Sequence, residues 1–154
     1  MAENKVQNQE VKEEVVTLAQ LQAQLRALVA SIEAARAELE LIRQQISNLK
    51  LLKVTLAKLK ELGEGKTILV PVGIDAAIKA KIEDPNTIIM TIGPNLSVEL
   101  SYEEALKHID KRISALEAAA LLIERSIAET YMALEALLEK AQTLEKEEKK
   151  EENK

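Results

Sequence analysis

Gly63-Glu64-Gly65-Lys66-Thr67 is the run in this chain whose residue types come nearest to a phosphate-binding loop. That loop requires Gly-x-x-x-x-Gly-Lys-[Ser/Thr] between a strand and a helix, so that the helix N-terminus faces the phosphates. Counting back from Gly65 puts Lys60 where the first glycine belongs. The flanking pattern is also reversed, helix before and strand after, so the run reads as a helix stop and not a nucleotide site. His108, the single histidine, follows Glu104 by one helical turn. Two ligands fall short of the three or four protein groups that zinc takes, and a solvated helix position is the expectation. Glu103 with Glu104, and Glu147 with Glu148, lack an enclosing pocket that would perturb a carboxyl group. Helix solubility and complementation of the helix dipole account for them. Cysteine is absent, which excludes disulfides, thiol catalysis and thiolate metal sites. No catalytic residue, metal or cofactor is expected, and the chain does not read as an enzyme.

Other functions must then rest on shape. The 154 residues suggest one domain, residues 1–154. Apolar residues make up 47% and charged residues 31%, yet Phe and Trp are missing and Tyr102 and Tyr131 are the only tyrosines. A rounded core usually draws on aromatic side chains for buried area. Ala, Leu, Ile and Val with many charges instead describe long helices packed side by side. A net charge of −5 gives no footprint for nucleic acid. The polar opening "MAENKVQNQE" lacks the apolar core of a signal peptide, and the run "AAALLI" (118–123) is far shorter than the ~20 residues that cross a bilayer. A soluble cytoplasmic protein is expected, with neither nucleic acid nor membrane as partner.

The periodicity divides the chain into three blocks. Helix 1, over 10–62, contains Leu21, Leu25, Leu28, Ile32, Ala35, Leu39, Ile42, Ile46 and Leu49, stepping by four and three like the seam of a coiled coil. Leu52, Leu56 and Leu59 are expected to carry the seam on to Gly63, which ends the helix. Helix 2, over 102–146, starts at a capping box, Ser101-Tyr102-Glu103-Glu104. Leu106, Ile109, Ile113, Leu116, Ala120, Ile123, Ile127, Thr130, Leu134, Leu137, Ala141 and Leu144 form its seam. Residues 147–154 read as a charged tail, fraying or disordered. Two helices of similar length joined by a short segment fold most economically as an antiparallel coiled-coil hairpin.

The middle block, 66–100, changes period to two. "TILVPV" (67–72) is apolar throughout and is expected to pack on both faces. Ile78 and Ile82, then Ile88, Met90 and Ile92, then Leu96, Val98 and Leu100, alternate with other residues as in half-buried strands. Turn residues separate four short strands, most simply two β-hairpins inserted between the helices. The fold class is thus α+β, mainly α. Pro71 favours an edge or a bulge. Four strands in so few residues cannot enclose a core and leave edges unpaired, which calls for pairing with other subunits. Ile68, Val70, Val72, Ile78, Ile82, Ile88, Met90, Ile92, Leu96, Val98 and Leu100 are the candidate assembly residues. At the far end, Val11, Val15, Val16 and Leu18 meet Leu134, Leu137, Leu138 and Leu144. One seam cannot bury both members of Val15-Val16 or Leu137-Leu138. These eight residues either widen the seam or form an apolar patch that holds exposed hydrophobic segments of another protein.

The succession helix, four strands, helix, together with "ILVPVG" at 68–73, "TIG" at 91–93, "VEL" at 98–100 and "SYEEALKHIDKRI" at 101–113, resembles the alpha class of prefoldin subunits. "LGEGKTILVPVG" with "ELSYEEALK" is most similar to archaeal gamma prefoldin, a divergent alpha-class form. The resemblance spans the chain in architecture and is strongest in wording over 62–113. It implies an ATP-independent chaperone that holds non-native polypeptides between coiled-coil tips and passes them to a chaperonin. Ordinary alpha subunits join beta subunits in a hexamer, whereas gamma prefoldin assembles with itself into filaments. "AAIKAKI" (76–82) and Gly93-Pro94-Asn95-Leu96 depart from the ordinary alpha pattern within the assembly region, which favours self-assembly. A filament or scaffold without client activity, and an alpha subunit that needs beta subunits, remain alternatives.

Overall fold

The computed structural model describes residues 18–154 in full and residues 2–17 as backbone only. The order is helix α1 (Ala2–Leu62), strands β1 (Thr67–Gly73), β2 (Ala76–Lys81), β3 (Thr87–Gly93) and β4 (Leu96–Ser101), then helix α2 (Tyr102–Glu152). The expectation of a mainly helical α+β chain with two inserted hairpins holds. Two compact units divide it: Met1–Leu41 with Ala120–Lys154, and Ile42–Ala119.

In the first unit, Leu21, Ile32, Leu39 and Ala120 are buried. Each seam residue named from Leu21 to Leu49 is buried or half-buried, and the residues between them are exposed. The helices run antiparallel, with the Arg36 guanidinium 5.5 Å from the Tyr131 ring centre. In the second unit Leu56, Ile109 and Ile113 form the core, with Ile46, Leu49, Ile88, Met90 and Tyr102 packed against it. Lys60 reaches Glu103 at 3.4 Å, Lys53 reaches Asp110 at 2.6 Å and Lys50 reaches Glu117 at 3.9 Å. Exposed pairs of this kind contribute about 0–1 kcal/mol each, so their main effect is to mark the antiparallel register.

Three expectations are corrected. Leu52 faces solvent and Lys53 takes its place in the step pattern. The seam needs a side chain that can cross to Asp110, and a lysine stem covers apolar surface while its ammonium stays wet. The segment after Lys146 does not fray at once, because α2 continues to Glu152. Glu145 and Lys149 stand one turn apart with the acid first, and Lys149 and Lys150 sit where the helix dipole favours cations. "TILVPV" does not pack on both faces within the chain, since Leu69 is 68% exposed and Val72 is exposed too. Among the described residues, no second layer covers them.

The strands pair as β1–β2 and β3–β4, in two separate two-stranded sheets. Their ladders correspond residue for residue: Thr67 with Lys81 and Val70 with Ile78 in one, Thr87 with Ser101 and Met90 with Val98 in the other. Both ladders shift register just before the turn, between Pro71 and Gly73 and between Thr91 and Gly93. Asp75 and Asn95 take the left-handed conformation at the turns, with φ of 63° and 56°. Their short polar side chains make that region accessible.

The Gly63–Thr67 run lies between α1 and β1, and Gly63 has φ of 82° and donates its N–H to Leu59 O at 3.1 Å. That is a helix C-cap. Gly65 N–H then bonds Ile82 O at 2.8 Å, and Ile82 N–H bonds Lys66 O at 3.0 Å, which closes the base of the first hairpin.

Candidate interaction surfaces

Two surfaces emerge, one in each unit. In the first unit, Leu21, Ala136, Glu139, Lys140, Thr143 and Leu144 line an open groove of about 620 Å³. It forms because α2 brings Leu144 to the level of Leu21 while small Ala136 and Thr143 leave space beside the seam. Glu139 and Lys140 add charged side chains to a lining that is otherwise apolar or small. Leu138 is 45% exposed whereas its neighbour Leu137 is half-buried, as expected when one seam faces one member of an adjacent pair.

Of the eight candidate client-binding residues, Val11, Val15 and Val16 lie outside the described residues. Leu18, Leu134, Leu137 and Leu144 are half-buried, and Leu138 is exposed. Met132, at 72% exposure, is an apolar surface residue that the sequence reading passed over. Leu21 and Ala136 were also missed as groove residues, because seam spacing identifies what is buried and not where packing leaves a gap.

In the second unit the hairpins differ in what covers them. Ile88 and Met90 of β3 pack on the Ile109 core, and the Tyr102 N–H donates to Asn86 O at 2.9 Å, tying the second hairpin to α2. The corresponding face of the first hairpin is half-buried at Ile68 and Ala80 and open nearer its turn, with Val70 36% and Ile78 53% exposed. The eleven candidate assembly residues therefore separate. Ile88 and Met90 are held by the chain's own core. Ile68, Ile82, Val98 and Leu100 are half-buried, and Val70, Val72, Ile78, Ile92 and Leu96 face solvent.

The carboxylates near the second hairpin serve structure. Asp84 accepts from the Thr87 hydroxyl at 2.6 Å and from the Asn86 N–H at 3.0 Å, and these bonds hold it below the usual aspartate range. Glu103 is also lowered, first by its own backbone N–H and then by Lys60. His108 is half-buried instead of solvated, on the wall of a shallow groove shared with Leu100, Glu104, Lys107 and Lys111. Among the described residues, no three His, Cys, Asp or Glu side chains are placed to hold a metal ion. Nor, among them, is any helix long and apolar enough to cross a membrane.

The model of the prefoldin subunit family matches residues 28–147. A prefoldin alpha subunit of Aquifex aeolicus is 45% identical over 150 residues, covering 97% of this chain and 99% of that protein. Prefoldin subunit alpha 2 of Methanocaldococcus jannaschii is 44% identical over 124 residues, covering 80% and 84%. Among solved structures, the cryo-EM structure of filamentous prefoldin from Methanocaldococcus jannaschii superposes with a TM-score of 0.69 at 44% identity, covering 74% of this chain and 94% of that one.

Proposed function

The chain belongs to the prefoldin family, and on that premise we propose that it is an ATP-independent holdase that assembles with itself through its hairpins into filaments. Prefoldin subunits are chaperones and not enzymes. The observation that carries the holdase reading is the open groove between Leu21 and Leu144, to which Ala136 and Thr143 add small side chains and Glu139 and Lys140 add charge. A non-native polypeptide offers apolar side chains of no fixed sequence, and an open apolar groove suits that ligand better than a closed pocket would. Val11, Val15 and Val16 enter the same proposal on their sequence pattern alone. Self-assembly is supported by the open face of β1–β2 and by the filament formed by the similar Methanocaldococcus jannaschii prefoldin. Non-native polypeptides and further copies of this chain are thus the proposed partners.

The test is light scattering from a chemically unfolded client diluted into the purified chain without nucleotide. Wild-type protein should suppress aggregation. Ala136→Lys combined with Leu144→Ser should lower that protection severalfold while leaving helix content unchanged. Full protection by this variant would remove the groove mechanism. Suppression at no ratio, with assembly intact, would favour a scaffold. A chain that stays small alone and assembles only with a beta-class subunit would favour the ordinary hexamer and its chaperonin.

A further inference from the structure

The two hairpins repeat one another with a change of sign. On the face of β1–β2 that carries Leu69, the paired residues are Thr67 with Lys81, Leu69 with Lys79, and Pro71 with Ala77. On the corresponding face of β3–β4 they are Thr87 with Ser101, Ile89 with Glu99, and Thr91 with Ser97. Each face therefore has one large aliphatic side chain at its centre, Leu69 at 68% and Ile89 at 70% exposure. Directly across the ladder from it stands a charge, positive on the first hairpin and negative on the second. The first face has no acid and the second has no base. Among the described residues neither Lys79 nor Glu99 has an ion-pair partner.

We propose that copies of this chain associate head to tail, the Leu69 face of β1–β2 in one copy packing on the Ile89 face of β3–β4 in the next, with Lys79 set against Glu99. This rests on the self-assembly reading above and adds its polarity and the residues that encode it. The occupant of each face is a second copy, because the two faces are complementary in charge and match in the position of the aliphatic residue. Pairing like with like would set Lys79 and Lys81 against the same lysines, or Glu99 against Glu99. Juxtaposed like charges at an interface are strongly disfavoured, so the signs select the unlike pairing. A contact that uses two different surfaces leaves one of each free at the ends. It propagates as an open filament unless its rotation happens to close a ring.

The experiment reverses each charge in the full chain and measures mass by light scattering across protein concentration at low ionic strength, where exposed charges are least screened. Lys79→Glu alone and Glu99→Lys alone should each raise the concentration needed for assembly at least about tenfold. An equimolar mixture of the two variants should recover assembly, since each variant then finds its opposite sign on the other. A chain carrying both substitutions should recover it as well. Both side chains are exposed, so circular dichroism should be unchanged throughout. Wild-type assembly by both single variants would overturn the head-to-tail pairing and leave self-assembly through the hairpins standing. Loss of assembly with no recovery in the mixture or the doubly reversed chain would also overturn it. A wild-type chain that stays monomeric would overturn the self-assembly reading and this pairing together.

Discussion

At the residue scale, the chain's clearest polar devices sit where β4 passes into α2. Ser101 Oγ accepts from the Glu104 N–H at 3.2 Å, and the Glu104 carboxylate accepts from the Ser101 N–H at 3.1 Å. This reciprocal box satisfies two backbone donors that the helix itself leaves unpaired. Ser101→Ala should therefore cost about 1 kcal/mol, read from urea unfolding at fixed protein concentration. Lys60 stands 4.1 Å from the centre of the Tyr102 ring as well as against Glu103, so one ammonium group serves a ring and a carboxylate. Asp84 offers a pH test. Its carboxyl is held below the usual aspartate range, chiefly by the Thr87 hydroxyl. Its contribution to stability is thus present above the unfolded aspartate value and is lost as pH falls through the lower folded one. NMR titration should place the Asp84 midpoint below that of a model aspartate, and Thr87→Val should raise it. An unchanged midpoint in that variant would deny the hydroxyl its role.

At the element scale, stability comes from the seam. Ile109 is completely buried among Leu56, Ile113 and the side chains of β3, so Ile109→Ala leaves a cavity that touches both helices and the second hairpin. The expected loss is about 2–5 kcal/mol. Leu122, of the same size class on the same helix, is exposed, and Leu122→Ala should change stability by no more than about 0.5 kcal/mol. Denaturant midpoints of the two variants compare these costs, and equal losses would contradict the assigned seam. The hairpins show how pairing alone falls short. Two strands without a second layer are marginal in water. β3–β4 obtains that layer from α2 and α1 through Ile88 and Met90, while β1–β2 keeps Val70 and Ile78 open. The first hairpin is therefore the element with most to gain from another copy.

At the scale of the whole molecule, the proposed assembly and folding are linked. If the open hairpin faces are covered by neighbouring copies, association stabilises the folded state by mass action, and the thermal midpoint should rise with protein concentration. Calorimetry over a wide concentration range measures this directly. A midpoint independent of concentration would mean that the faces stay bare. The proposed client holding should not depend on nucleotide, since the Gly63–Thr67 run is a helix cap and a hairpin base.

The seams, the capping box, the helix stop at Gly63 and the four strands were legible in the sequence because each is a local property. A step of three and four or an alternation of two needs no knowledge of what lies across from it, and Leu21 to Leu49 were assigned in this way. Local pattern also misled where it continued past its partner, as at Leu52, whose place is taken by Lys53 reaching toward Asp110. Which hairpin is docked and which is open could not be read from residues 67–101, since both carry nearly the same apolar pattern. Only the tertiary structure decided it, by giving Ile88 and Met90 the Ile109 core to pack on and leaving Val70 and Ile78 exposed. Burial belongs to a pair of surfaces, and a single stretch of sequence specifies only one of them.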